Sequence, residues 1–155
     1  MSERPLEAGL TAETMLTVTA ADTASALGSG DVAVLATPRI VALCEAATVA
    51  ALAGRLPGGS TSVGTRVECD HIASTHPGET VTARATLVEV DARRLQLTVT
   101  VADSAGRAVA VARVWRVVRR SRVRSTMVMV RTTVKRKPLL SILITAVIKQ
   151  RPPPE

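Results

Sequence analysis

Three polar side chains stand in surroundings where they could carry out proton transfer or nucleophilic attack. Glu45 is the only carboxylate inside the apolar segment Arg39–Arg55, where a buried carboxylate is costly unless it is paired or functional. His71 lies on the apolar face of an alternating segment, and imidazole exchanges protons near neutral pH. Thr37, just before Pro38, could donate a hydrogen bond to a developing oxyanion. Glu45 could activate water or attack a carbonyl itself, and His71 could act as base or acid.

Each of these residues also has an ordinary structural interpretation. Glu45 could pair with an arginine across a subunit interface, and His71 could be a core histidine bonded to a backbone carbonyl. Thr37 could simply be the N-cap of the following helix. His76, which precedes Pro77 in a turn, is expected to be exposed. No single one of these residues indicates an enzyme.

The segment that holds Thr37 and Glu45 has the pattern of one long helix over Thr37–Gly59. Thr37 is the predicted N-cap and Pro38 suits the first helical position, whereas Leu56 and Pro57 begin the predicted stop. The segment is apolar almost all round, and an amphipathic surface helix would keep a polar face. We therefore expect this helix to be buried or enclosed.

The remaining elements read as strands. The predicted strands are Thr14–Thr19, Thr61–Ala73, Thr80–Val90, Leu95–Ala102 and Ala108–Val118. In the second of them, strict alternation places Val63, Thr65, Val67, Cys69 and His71 on one face. Short turns between the last four strands predict an antiparallel meander. The predicted fold is α+β, a long central helix wrapped by a curved antiparallel sheet of about five strands.

The charge of the chain is concentrated at one end. The net charge is +7, but ten of the twenty Lys and Arg residues lie between Arg119 and Glu155, with Glu155 as the only acid there. The preceding 118 residues have ten basic and twelve acidic side chains, a net charge of −2. We therefore predict a globular domain over 1–120 and a basic C-terminal tail over 121–155, outside the core fold. Without aromatic residues in the tail to stack on bases, nucleic acid is not an expected partner.

Two further features bound the cellular setting. The N-terminal segment is polar, and no apolar run reaches the roughly 18–20 residues needed to span a bilayer. Cys44 and Cys69 are expected to be buried thiols in a reducing cytoplasm rather than a disulfide or a metal site. We predict no metal and no cofactor.

Taken together, the architecture and spacing resemble the hot-dog-fold acyl-CoA thioesterase family, and within it the fluoroacetyl-CoA-specific thioesterase-like branch. The segments that carry the resemblance are Leu35–Glu45 on the helix and Ser62–Gly78 on the strand. As in the family pattern, Thr37 stands eight positions before the helix Glu45, and Gly64, in a Gly-Thr pair, stands seven positions before His71. The likeness extends over roughly Leu10–Arg119.

The resemblance implies a hot-dog fold and an enzyme that hydrolyses a small acyl-CoA, or a related thioester, to the acid and the free thiol. It implies Thr37, Glu45 and His71 as the catalytic set, and Gly64 and Arg116 as substrate-binding residues. It also implies a homodimer or a dimer of dimers with active sites at the interface. The absence of Phe and Tyr removes any aromatic gate over the acyl pocket, so fluoroacetyl specificity is not expected to carry over. The alternative is a hot-dog protein that binds acyl-CoA without turnover.

Overall fold

The computed structural model describes residues 5–121, 128–132 and 144–148, and the chain divides into two compact units, Met1–Arg120 and Ser121–Glu155. The first unit contains a long helix and five strands. Its elements are β1 (Thr11–Thr17), a 3-10 turn (Ala20–Asp22), α1 (Ala24–Leu27), α2 (Thr37–Ala51), β2 (Ser60–His71), β3 (Thr80–Asp91), β4 (Arg94–Asp103) and β5 (Ala108–Arg120).

The five strands form one antiparallel sheet in the order β1-β3-β4-β5-β2. The predicted meander of four consecutive strands is therefore wrong in one respect, because β2 pairs with β5 and not with β3. The reason lies in the connection 72–79, which is not a hairpin turn. At its end, the Gly78 N–H donates to the carbonyl of Val18, and the Val18 N–H donates to the carbonyl of Glu79. The connection thus delivers the chain to the β1 side of the sheet.

Helix α2 packs across the sheet and contacts all five strands. The strand faces that meet it are made of aliphatic side chains, among them Val81, Ala83 and Ala85, all fully buried. Their alternation along the sequence is the pattern expected of a strand with one buried face. Aliphatic side chains from the helix and the strands, including Ile40 and Leu97, make up the described core, which includes no aromatic ring. The hot-dog arrangement of one long helix on a curved sheet is confirmed.

Helix α2 is shorter than predicted. It ends at Ala51, and Gly54 then adopts a left-handed conformation with φ of +69°. The Ala53 N–H bonds to the carbonyl of Ala50, three residues back, so the last turn tightens before the chain leaves the helix. Gly54, whose missing Cβ permits this conformation, ends the helical path before the predicted stop at Leu56 is reached.

The described residues of the second unit form two short strands, β6 (Val128–Thr132) and β7 (Ile144–Ile148), which pair antiparallel. The register joins Val128 to Ile148 and Thr132 to Ile144. Apart from Ser121, the rest of the predicted tail lies outside the described residues. Among the helices that are described, none is long and apolar enough to cross a bilayer.

Candidate active site

The first turn of α2 is positioned by backbone hydrogen bonds from the residues before it. The Leu35 N–H donates to the Thr75 carbonyl at 2.8 Å, and the Ala36 N–H donates to the Asp22 carbonyl at 2.9 Å. Ala36 is the N-cap and makes no side-chain cap bond, so the predicted cap role of Thr37 is wrong. Thr37 is already inside the helix, with Pro38 one position later than predicted. Its hydroxyl is consequently available for another partner.

That partner is His71 at the end of β2. Thr37 Oγ1 and His71 Nδ1 are 2.9 Å apart and share a hydrogen bond. The other ring nitrogen, Nε2, is buried and has no hydrogen-bond partner among the described residues. The interpretation of His71 as a core histidine held by a backbone carbonyl is therefore wrong for Nδ1, which bonds to a side chain from the start of α2.

A β-bulge in β2 changes which residues face the helix. Gly64 pairs with Arg116 and Arg66 pairs with Trp115, so Thr65 is an extra residue that pairs with no residue on β5. A regular strand has a side-chain period of two, and an insertion of one residue reverses the phase. The strict alternation predicted over this strand is thus interrupted at Thr65.

The bulge places Gly64 and His71 on the same face, although they are an odd number of residues apart. After the bulge, Val67, Cys69 and His71 face inward as predicted, opposite the inward-facing side of β5. Before it, the inward positions include Gly64, whereas Val63 is 39% exposed on the outer face, so its predicted inward position is wrong.

Gly64 lies directly against the carboxylate of Glu45. A Cβ atom built on Gly64 would be 2.4 Å from Glu45 Oε1 and 3.7 Å from Arg116 Nη1. Arg116 Nη1 is itself 4.0 Å from Glu45 Oε1. The structure therefore brings Glu45, Gly64 and Arg116 together across the contact between α2, β2 and β5. The suggested Glu45–arginine pair is present, but within one chain.

Arg116 is a buried cation. Its side chain is 6% exposed, whereas that of Glu45 is 41% exposed. Arg116 donates from Nε to Ser62 Oγ at 2.9 Å, from Nη2 to the Ser62 carbonyl at 3.1 Å, and from Nη1 to Thr48 Oγ1 at 3.2 Å. Burial lowers the pKa of the guanidinium and the nearby Glu45 charge opposes that shift, but with so high an ordinary value Arg116 stays positively charged.

The five predicted site residues thus form two groups. Thr37 and His71 form one, and Glu45, Gly64 and Arg116 form the other, with no hydrogen bond or ion pair between the two groups within the described part of the chain. Thr37 and Glu45 are eight positions apart on α2, which corresponds to about 12 Å along the helix axis. A substrate would have to lie along this part of the helix to meet both groups.

Sequence reasoning missed Thr48 and Ser62, which both contact Arg116. Thr48 is fully buried and follows Glu45 by three residues on the helix. That spacing places the two residues on neighbouring positions of the helix surface, and it could have indicated Thr48 as part of the site. Ser62 lies two residues before Gly64 and so shares its face, which points inward because of the bulge at Thr65. In the part of the chain that the structure describes, no cluster of three His, Cys, Asp or Glu side chains could hold a metal ion.

Helix α2 is not enclosed on all sides in the single chain. Ala42, Ala46 and Ala50 are exposed, and Val49 is 51% exposed. These residues form an apolar strip on the face that also carries Glu45. The expectation of a helix buried all round is therefore wrong for one chain considered alone.

Cys44, next to Glu45, faces the sheet and is fully buried, while Cys69 is half-buried; both are free thiols. Burial, together with the neighbouring Cys69 and Glu45, raises the pKa of the Cys44 thiol to about 12. At neutral pH Cys44 is consequently a neutral side chain and not a nucleophile.

A family model described as "Fluoroacetyl-CoA-specific thioesterase" matches residues 18–122. Among characterised proteins, the chain is 44% identical over 70 residues to the fluoroacetyl-CoA thioesterase of Streptantibioticus cattleyicolor, a match that covers 45% of this chain and 50% of the relative. The chain thus spans half the length of this relative.

Solved structures of thioesterases also align with this chain. A Thermus thermophilus protein described as a thioesterase superfamily member aligns with a TM-score of 0.70 at 28% identity, covering 76% of this chain and 86% of the other. The fluoroacetyl-CoA thioesterase FlK aligns with a TM-score of 0.69 at 30% identity, covering 76% of this chain and 90% of the other.

Proposed function

Because this chain belongs to the fluoroacetyl-CoA-specific thioesterase family, we propose that it is a thioesterase that hydrolyses a short acyl-CoA. Water adds to the thioester carbonyl, the C–S bond breaks, and the products are the carboxylic acid and the CoA thiol. Two contacts between α2 and the sheet carry the proposal. Thr37 lies beside His71, and Glu45 lies beside Arg116.

The start of α2 is the proposed site for the carbonyl oxygen. The Thr37 hydroxyl is exposed, and it can donate to a carbonyl oxygen when it accepts from His71 Nδ1–H. The helix start carries partial positive charge. Pro38 has no N–H and the Arg39 N–H donates to the Ala36 carbonyl at 3.0 Å, which leaves the Thr37 N–H as the backbone donor among the described residues of this turn. Donors of this kind, aimed at a developing oxyanion, stabilise the tetrahedral transition state.

Glu45 is the proposed source of the attacking oxygen, either by activating water or by attacking the carbonyl itself. Its side chain is 41% exposed and therefore accessible, and Arg116 supplies a positive charge 4.0 Å away. Rapid-quench mass spectrometry separates the two routes: a transient acyl adduct on Glu45 indicates direct attack. A thiolate is a good leaving group, so the demand for an acid is modest.

The acyl group is proposed to be short, without strong selection for fluorine. The chain has no Phe and no Tyr. Its single Trp115 faces the outer side of the sheet, where Arg66 stacks on it at 4.8 Å from the ring centroid. No phenyl, phenol or indole ring of this unit can therefore close over an acyl group beside Glu45, and acetyl-CoA and fluoroacetyl-CoA should be hydrolysed with similar kcat/KM.

We assign the activity to residues 1–120, since all the proposed site residues lie there, and leave 121–155 outside the catalytic fold. Charge reversal at Lys135 and Lys137 should then leave kcat/KM unchanged. A loss of activity in that variant would contradict the assignment. The two free thiols support a reducing compartment such as the cytoplasm.

The proposed assembly is a homodimer, or a dimer of such dimers. Two features support it. One is the apolar strip of α2 at Ala42, Ala46, Val49 and Ala50. The other is β2, an edge strand that pairs with β5 on one side and with no described strand of its unit on the other. Light scattering should give at least twice the chain mass of 16.2 kDa. Replacing Val49 with Lys should shift the protein toward monomer, and a fully active monomer would contradict the proposal.

The direct test is thiol release from acetyl-, propionyl-, butyryl- and fluoroacetyl-CoA, followed with a thiol-reactive dye. Glu45→Gln and His71→Ala should each lower kcat/KM by about 10²-fold or more. Val63→Ala, on the outer face of the same strand, is the matched control and should retain full activity. Binding of CoA esters without thiol release by the wild type would favour a non-catalytic binding protein.

A further inference from the structure

We propose that Thr48 and Ser62 are positioning residues that hold Arg116 at a set distance from Glu45, so that the carboxylate keeps a counter-charge while its oxygens stay free to react. This inference rests on the proposed role of Glu45. Neither Thr48 nor Ser62 contacts the Glu45 carboxylate, so both would act through Arg116.

Ser62 accepts two of the hydrogen bonds of the guanidinium. Arg116 Nε donates to Ser62 Oγ at 2.9 Å and Nη2 donates to the Ser62 carbonyl at 3.1 Å. Two bonds from one planar group to one residue define the orientation of the plane. Because Ser62 lies on β2 before the bulge, it anchors the guanidinium beside Gly64 on the inward face.

Thr48 is the hydrogen-bond acceptor for the third guanidinium nitrogen, Arg116 Nη1. Its hydroxyl donates to the Glu45 carbonyl at 2.6 Å and accepts from Arg116 Nη1 at 3.2 Å. A hydroxyl has a single proton, and once that proton is given to the carbonyl only its lone pairs face Arg116. Thr48 therefore links the backbone of Glu45 to the arginine in one arrangement, and it is itself fully buried.

The consequence is a gap between cation and carboxylate. Arg116 Nη1 is 4.0 Å from Glu45 Oε1, beyond the usual 2.7–3.2 Å of an N–H···O hydrogen bond. Coulombic attraction persists at this distance. A direct two-pronged salt bridge would instead occupy the carboxylate oxygens with N–H donors. Because Gly64 has no Cβ, Glu45 Oε1 has room to remain at this distance from Arg116 Nη1.

Arg116 on β5 and Cys44 on the same helix both interact electrostatically with Glu45. Because burial keeps the Cys44 thiol protonated at neutral pH, Arg116 is the charged member of this pair there, with Nη1 4.0 Å from Glu45 Oε1. A change in its position should therefore appear directly in the titration of the carboxylate.

The experiment compares Thr48→Val, which removes the hydroxyl and preserves the shape, with Thr48→Ser, which retains the hydroxyl. Thr75→Val is the matched control, because Thr75 is also buried and its hydroxyl has no hydrogen-bond partner among the described residues. Ser62→Ala provides a second variant should Thr48→Val fold poorly. The readouts are kcat and KM, melting temperature, and the Glu45 carboxyl titration by ¹³C NMR, assigned with Glu45→Gln.

In Thr48→Val, Arg116 Nη1 loses its acceptor at 3.2 Å. We expect Nη1 to move toward Glu45 Oε1, which lies 4.0 Å away in the wild type. We expect kcat to fall about 10- to 100-fold with little change in KM, in line with the cost of misplacing a reacting group. The Glu45 titration and the acidic limb of the kcat/KM profile should both move to lower pH. Thr48→Ser and Thr75→Val should resemble the wild type, and Ser62→Ala should show a smaller change in the same direction.

The proposal is overturned if Thr48→Val retains the wild-type kcat and titration, or if Thr48→Ser is impaired as much as Thr48→Val. A Glu45 titration that moves to higher pH in Thr48→Val would also overturn it, since Arg116 would then have moved away. If the wild type releases no thiol from any acyl-CoA, the proposed function fails, but the NMR titration still decides whether Thr48 and Ser62 set the distance.

Discussion

Thr37 Oγ1 lies 2.9 Å from Nδ1 of His71, and this hydrogen bond ties the first turn of α2 to the end of β2. The bond exists because Ala36, not Thr37, occupies the N-cap and leaves the hydroxyl free. The two residues are 34 positions apart in sequence. A helix start that presents a hydroxyl beside an imidazole is suited to orient a carbonyl oxygen. Measuring activity and stability on the same variants separates the contribution of the Thr37 hydroxyl to catalysis from its contribution to folding.

Replacing Thr37 with Val should lower kcat about 10²-fold, because the hydroxyl donor is lost from the proposed oxyanion site. Stability should fall by only about 1 kcal/mol, since Thr37 is exposed and caps nothing but its hydrogen bond to His71 is lost. Steady-state thiol release and urea unfolding measure the two effects. Thr37→Ser should retain most of the activity; equal activity in the Val variant would show that the hydroxyl is not used.

Replacing Gly64 with Ala should displace the Glu45 carboxylate, because the added Cβ would lie 2.4 Å from Oε1. The end of a flexible side chain can move, so we expect the fold to survive and kcat to fall about 10²-fold. The comparison is with Val63→Ala, the neighbouring residue on the outer face, which should have no effect on kcat. Wild-type activity in Gly64→Ala would mean that the carboxylate position is not critical.

Asp22 should stabilise the start of α2 in a pH-dependent manner. Its carboxylate accepts from the Thr19 N–H at 2.8 Å and the Thr19 hydroxyl at 2.9 Å, and from Arg39 Nε at 2.9 Å. The Thr19 backbone bond, aided by the Thr19 hydroxyl and Arg39 and opposed by burial, lowers the pKa of this carboxyl below its ordinary value of 3.8. Asp22→Asn should lower the free energy of unfolding by about 1 kcal/mol at pH 7.

The sign of the pH effect follows from the lowered pKa. The stabilisation by Asp22 is complete above pH 3.8 and is lost as the pH falls through the lower pKa of the folded state. The difference between the wild type and Asp22→Asn should therefore shrink in acid, as measured by urea unfolding at pH 7, 5 and 3. Asp31→Asn, at an exposed position, should leave stability unchanged. A difference that grows in acid would contradict the assignment.

Cys44 should resist alkylation in the folded protein. With a pKa of about 12, only about one thiol in 10⁴ is ionised at pH 8, and the side chain is fully buried. Iodoacetamide should therefore label Cys69 first and Cys44 only after unfolding, as read by peptide mass spectrometry. The Cys69→Ala variant isolates Cys44. Labelling of Cys44 at the rate of a free thiol in the native protein would show that the α2–β2 contact opens readily.

Much of the fold followed from local patterns. The alternation of Val81, Ala83 and Ala85 indicated the buried face of β3, and the apolar run around Glu45 indicated the long helix. These inferences succeed because strand and helix periods depend on neighbouring residues alone. Glu45 and His71 were also visible in the sequence, since each stands out against its apolar or alternating surroundings. Gly64 and Arg116 were indicated only by the family resemblance.

The tertiary structure decided how those residues meet. The pairing of β2 with β5 and the bulge at Thr65 depend on hydrogen bonds between distant strands, which no local period encodes. Without the bulge, Gly64 and His71 would face opposite sides of the sheet. The chain sequence therefore determined which side chains could react, and the strand pairing determined that Gly64, with Arg116 behind it, lies against Glu45 while His71 reaches Thr37.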